Sequence, residues 1–128
     1  MNKRMRLIQY SSDILCEAER GKRSYNAYTK YDSFRGIGNL CGDFLNMIGY
    51  YDCFSYEKSI KRKLFFKSLR GEDTTIDNRI LEIMFYAEKG SEKSTFSEMN
   101  MYFDSIIESQ KGLCAALEVW QQEEKDRK

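Results

Sequence analysis

Residues 95–120 read TFSEMNMYFDSIIESQKGLCAALEVW, and their pattern sets the fold class. Thr95, Phe96, Ser97 and Glu98 take the S/T-x-x-E form, in which a hydroxyl and a carboxylate satisfy free N–H groups at a helix start. Beyond them Met99, Phe103, Ile106, Gln110, Leu113, Leu117 and Trp120 recur in alternating steps of four and three. That is a heptad seam with one polar member, and it predicts a helix of roughly 28 residues. The seam has two possible uses. It serves as the spine of the chain's own bundle, the preferred reading, or as a homodimer contact registered by Gln110. The polar end of the chain, 120–128, is expected to fray.

Upstream the same period recurs. No proline occurs in 128 residues, where average usage of about 5% predicts roughly six. Since proline interrupts helices, its absence fits a mostly helical chain with short connections. Leu7, Ile8, Ile14, Leu15 and Ala18 mark a first helix over 4–20, with Gly21 as its stop. A short helix or turn is expected over 22–31. A third helix, 33–50, carries Phe34, Ile37, Cys41, Phe44, Leu45 and Ile48 on one face and Leu40, Met47 and Tyr51 on a second. Apolar this far round, it should be central, with Gly38, Gly42 and Gly49 admitting a close neighbour. Ser55 is the expected cap of a helix over 56–70, with Glu57 in its first turn. Thr74 or Thr75 should cap another over 76–89, striped by Ile76, Ile80, Ile83, Met84 and Ala87. The expectation is one all-α domain over 1–128: a compact bundle of five or six helices with a long C-terminal helix.

Composition closes several routes to function. No apolar run approaches the roughly 20 residues needed to span a bilayer. The basic start MNKRMRLIQYSSDIL lacks the apolar stretch and small-residue site of a secretory signal. No membrane partner and a cytoplasmic location are therefore expected. The absence of histidine removes the usual general base, metal ligand and physiological-pH switch together. Cys16, Cys41, Cys53 and Cys114 form no C-x2-C pair; three of the four lie within apolar helical patterns, where they read as buried reduced thiols. Gly36 and Gly38 lack the pattern and the preceding strand of a phosphate loop. Asp104 with Glu108, and Asp13 with Glu17, have the spacing of magnesium-holding carboxylates, but solvent-facing charge explains them equally well. No cofactor, metal or catalytic residue is assigned.

The net charge of +1 conceals an asymmetry. Residues 1–70 hold 14 Lys+Arg against 7 Asp+Glu, giving +7; residues 71–128 hold 7 against 13, giving −6. Such segregation signals either a charged partner or two halves that attract each other within the fold. The basic half clusters at Lys3, Arg4 and Arg6, at Arg20, Lys22 and Arg23, and at Lys58, Lys61, Arg62, Lys63, Lys67 and Arg70. In the last cluster Tyr56, Ile60 and Leu64 share one face, while Phe65, Phe66 and Leu69 point elsewhere among the cations. Either that helix packs on two sides, or its rings remain exposed.

The stretch KRSYNAYTKYDSFRGIG, 22–38, poses the same choice. Tyr25, Tyr28 and Tyr31 form a slanted row, and Asn26, Thr29, Lys30 and Asp32 between them favour a surface segment. The row is a core edge, a protein-binding patch, or a stacking surface for nucleic acid. The expected contact residues are Lys22, Arg23, Tyr25, Tyr28, Tyr31, Arg35, Lys58, Lys61, Arg62, Phe66, Lys67 and Arg70. The function expected is that of a non-catalytic helical protein binding and modulating another macromolecule, as an inhibitor, immunity or adaptor protein does. A protein is the favoured partner. The alternative is a nucleic-acid-binding accessory subunit using the basic half.

Overall fold

Asn2 stands just ahead of the first helix, and its side-chain oxygen accepts the Met5 N–H at 2.9 Å. That cap satisfies one of the free N–H groups of a helix start. The computed structural model describes residues 2–50 and 57–126, with side chains over 2–50 and 60–120. In it α1 runs over Lys3–Arg23. The break that follows is made by caps. Ser24 Oγ accepts the Asn26 N–H at 3.0 Å, Asn26 Oδ1 accepts the Thr29 N–H at 3.3 Å, and α2 begins, Ala27–Met47. Then come α3 (Glu57–Leu69), α4 (Thr75–Ser91) and α5 (Phe96–Asp126). The described residues are all-α, five helices and no strand.

Four of these helices form a ring in which α1 packs on α2, α2 on α4, α4 on α5, and α5 back on α1. The short connections 24–26 and 92–95 fold each hairpin on itself. Contacts along the ring fix an alternating up-and-down course. The Arg4 guanidinium at the start of α1 lies 5.6 Å from the Trp120 ring far along α5. Midway, Gln110 Nε2 donates to Ser11 O at 3.1 Å and Ser11 Oγ at 3.2 Å. The Tyr50 hydroxyl, just past α2, bonds Asp77 in the first turn of α4. α3 stands outside the ring and touches it sparsely, through buried Ile60 and half-buried Leu64.

At the centre, the Phe34 and Phe103 rings stack 4.0 Å apart and nearly parallel. The stack fits because glycine lies on each side of it. A Cβ on Gly21 of α1 would come within 2.3 Å of the Phe103 ring, and one on Gly90 of α4 within 2.4 Å of the Phe34 ring. Gly21 is therefore not the stop the sequence suggested. It is a buried residue in the last turn of α1 that admits a neighbour's ring, and the helix runs on to Arg23. The close approach expected at Gly38, Gly42 and Gly49 is likewise corrected at two of the three. A Cβ on Gly38 would meet nothing within 4 Å. Gly49, at φ +103, ends α2, with Tyr50 N donating to Leu45 O at 2.9 Å and Gly49 N to Asn46 O at 3.3 Å.

Other expectations shift for physical reasons. The segments 22–31 and 33–50 are one helix from Ala27, since nothing at Asp32 or Ser33 breaks it. The buried seam of α1 is Leu7, Ser11, Ile14, Ala18 and Gly21, leaving Ile8 exposed. Thr74 makes no side-chain cap to α4. Asp73 does the work, accepting Thr75 N–H at 3.0 Å and Thr75 Oγ1 at 2.7 Å, bonds that hold its carboxyl below the usual range. At α5 the Thr95 half of the box is made: Glu98 N donates to Thr95 Oγ1 at 3.2 Å, while the Glu98 carboxylate accepts that hydroxyl at 2.9 Å. The backbone of α5 is helical to Asp126. Met99, Phe103, Ile106, Gln110, Leu113 and Leu117 are buried within the chain, so the seam is not open to a second copy. The readings of Tyr51, Cys53, Ser55, Tyr56, and the side chains of Glu57 and Lys58 lie outside the described residues.

Candidate functional site

The α1–α2 corner projects the tyrosine row outward. Tyr25 is 95% exposed and Tyr28 77%, while Tyr31 is tied back by its hydroxyl, which donates to Lys93 O at 3.0 Å. Lys22, Arg23 and Arg35 are exposed beside them, with Lys22 paired to Asp104. The row is thus not a sealed core edge. Lys30, expected on this surface, is instead buried. Its ammonium donates to Gly21 O at 2.9 Å, Lys22 O at 3.2 Å and Asn100 Oδ1 at 2.7 Å. It also lies 5.1 Å from the Phe96 ring and 5.6 Å from that of Phe103. Three N–H donors meet three oxygens, closing the end of α1. Burial pushes its pKa below the usual lysine value.

From the tyrosine row a groove of about 1370 Å³ runs between α2 and α4, walled at one side by α3. Tyr28, Tyr31, Arg35 and Asn39 of α2 line it opposite Leu81, Phe85, Glu88 and Lys89 of α4, with Lys61 and Leu64 of α3. The groove brings Tyr28, Tyr31, Arg35 and Lys61 together, residues separated in sequence. It leaves Arg62 and Phe66 on the far side of α3, and Lys58 outside the described side chains. Its α4 wall, Phe85 above all, was absent from the sequence reading. An aromatic residue off the clean stripe of α4, Phe85 was the available signal, and it is half exposed.

Besides Lys22, the expected contact cations Lys67 and Arg70 are engaged within the chain. Lys67 Nζ donates to Asp77 Oδ2 at 2.9 Å, and Arg70 pairs with Glu72 at 2.8 Å. Asp77 is buried and also accepts the Tyr50 hydroxyl, so this cluster pins α3 and the end of α2 to α4. With Lys22–Asp104, these pairs join the basic half to the acidic one. The charge asymmetry is in part internally compensated.

The remaining polar groups are structural in their surroundings. Asp13 accepts from Gln9, Glu17 pairs with Arg20, and Glu108 pairs with Lys111, each on its own helix, whereas Asp104 pairs across to Lys22 of α1. Ser109 donates to Glu82 at 2.8 Å but is buried. Among the described residues no group of three or more cysteine, aspartate or glutamate side chains is placed to hold a metal ion. Cys41 is buried, and burial drives its thiol pKa far up. Cys114 is half-buried against Ser11 and Gln110. Cys16, expected among buried thiols, is exposed, because it lies off the Leu7–Gly21 seam. No helix among the described residues is long and apolar enough to cross a membrane. Comparison with protein families, curated protein sequences and solved structures gives no match.

Proposed function

We propose that this chain is a non-catalytic helical bundle that works by binding another protein, through the tyrosine corner, the α2–α4 groove and α3. The observation that carries this reading is the amount of ring surface left in water beside cations: Tyr25, Tyr28, Phe65, Phe66 and Phe85 are all at least half exposed. Aromatic residues and arginine are enriched where proteins meet, and exposed apolar patches of this kind mark contact sites. An inhibitor, immunity or adaptor protein has this character. The groove lining balances Asp32, Glu82 and Glu88 against Arg35, Lys61 and Lys89, so it is not the uniformly basic channel a phosphate backbone favours.

Affinity capture from the native host, with and without nuclease, tests the proposal. A polypeptide retained after nuclease by the wild-type chain, and lost by Tyr25→Ser/Tyr28→Ser, supports it. Retention that vanishes with nuclease, or binding of an oligonucleotide that falls steeply between two salt concentrations, rejects it in favour of the accessory-subunit reading.

A further inference from the structure

α3 is apolar on two opposite sides, and only one of them is used by the fold. At 100° per residue, Ile60 and Leu64 face the bundle, whereas Phe65, Leu69, Arg62 and Phe66 follow one another at steps of about 40, 20 and 40° on the reverse side. Ile60 is buried; Phe65 is 60%, Phe66 50% and Leu69 66% exposed. A peripheral helix with one buried turn-face has no folding reason to carry a second apolar stripe. The flanks of that stripe are cationic, Lys61 on one side and Lys63 on the other, with Arg70 on that second side paired to Glu72, and no acidic residue occurs from 58 to 71.

We infer that the outer stripe of α3 receives an acidic amphipathic helix from another protein, with leucine or aromatic anchors at i, i+3 and i+4 and carboxylates along both edges. This rests on the reading above that the chain binds a protein. Charge complementarity selects the partner's edges, and the narrow apolar ridge selects a helix or similar rod to lie along it. Single-stranded nucleic acid fits the stripe less well. Leu69, its most exposed member, offers no stacking face, and the Phe65 and Phe66 rings meet edge to face at 5.8 Å, each covering the other in part.

A displayed library of random peptides, panned against the full chain, tests this. The enriched pool should be acidic with helical apolar spacing. An individually synthesised member should lose about tenfold affinity or more on Phe65→Ser/Leu69→Ser, with the circular-dichroism melt unchanged. Panning against Arg62→Glu/Lys63→Glu should turn the pool from acidic to basic, a change that no loss of folding would produce. A pool that ignores both α3 variants but is lost on Tyr25→Ser/Tyr28→Ser overturns this inference and leaves the broader proposal standing. A pool that is not acidic, or that survives all these variants, overturns it as well, as does the absence of any enriched peptide.

Discussion

The rings of Phe34 and Phe103 lie 4.0 Å apart between Gly21 and Gly90, so that α1, α5, α2 and α4 meet in that order along one stacked line. Neither glycine can take a methyl group without displacing a buried ring. Gly21→Ala and Gly90→Ala are each expected to cost about 1–3 kcal/mol despite alanine's better helix propensity. Gly38→Ala, which meets nothing within 4 Å, should instead gain about 0.5–1 kcal/mol. Urea denaturation of the three variants checks the opposite signs.

Lys30 joins three elements with one ammonium, the end of α1, the start of α2 and Asn100 of α5. In Lys30→Met the apolar stem remains and the two carbonyls and the amide lose their donor. A loss of about 1–3 kcal/mol is expected. Lys22→Ser, which removes only the exposed pair with Asp104, should cost at most about 1 kcal/mol. Equal losses in thermal unfolding of the two would contradict this role for Lys30.

Asp77 is the anchor of the peripheral helix. Asp77→Asn weakens its bonds to Lys67 and Tyr50. Because Lys67 is partly exposed and rehydrates, the expected cost to global stability is modest, about 1–2 kcal/mol. The clearer effect is local: hydrogen exchange of α3 amides should quicken while that of the α5 seam stays near wild type. Uniform quickening would show that α3 is not separately pinned.

Cys41 gives a pH dependence with a definite sign. Its folded pKa lies far above the unfolded value of 9.0, so its contribution is complete below pH about 9 and is lost as pH rises further. The thermal midpoint of the wild type should therefore fall relative to that of Cys41→Val above pH about 9. Parallel curves for the two proteins would contradict the burial of this thiol.

The α5 helix was legible because three local signals agreed: the Thr95–Glu98 box, the four-and-three seam and the absence of proline. The stripe of α4 was legible from its period alone, its expected cap at Thr74 not being made. Positions whose meaning depends on a distant element were not. Gly21 carries the look of a helix stop, and only the arrival of the Phe103 ring makes it a contact residue. Lys30 lies among polar neighbours, and nothing local announces that the α1 carbonyls will surround it. At the candidate site, the exposure of Phe65, Phe66 and Leu69 was one of two outcomes open in the sequence, decided by how sparsely α3 packs. The groove was invisible, since its walls come from helices far apart in the chain.

Radical footprinting of the free protein, and of the complex recovered by affinity capture, tests the binding face most directly. In the free chain Tyr25, Tyr28 and Phe65 should label strongly. In the complex those residues and Phe85 should be protected, with exposed Met101 and Val119 on α5 labelled as before. Protection confined to α5, with the tyrosine corner and α3 labelled unchanged, would contradict the proposed surface.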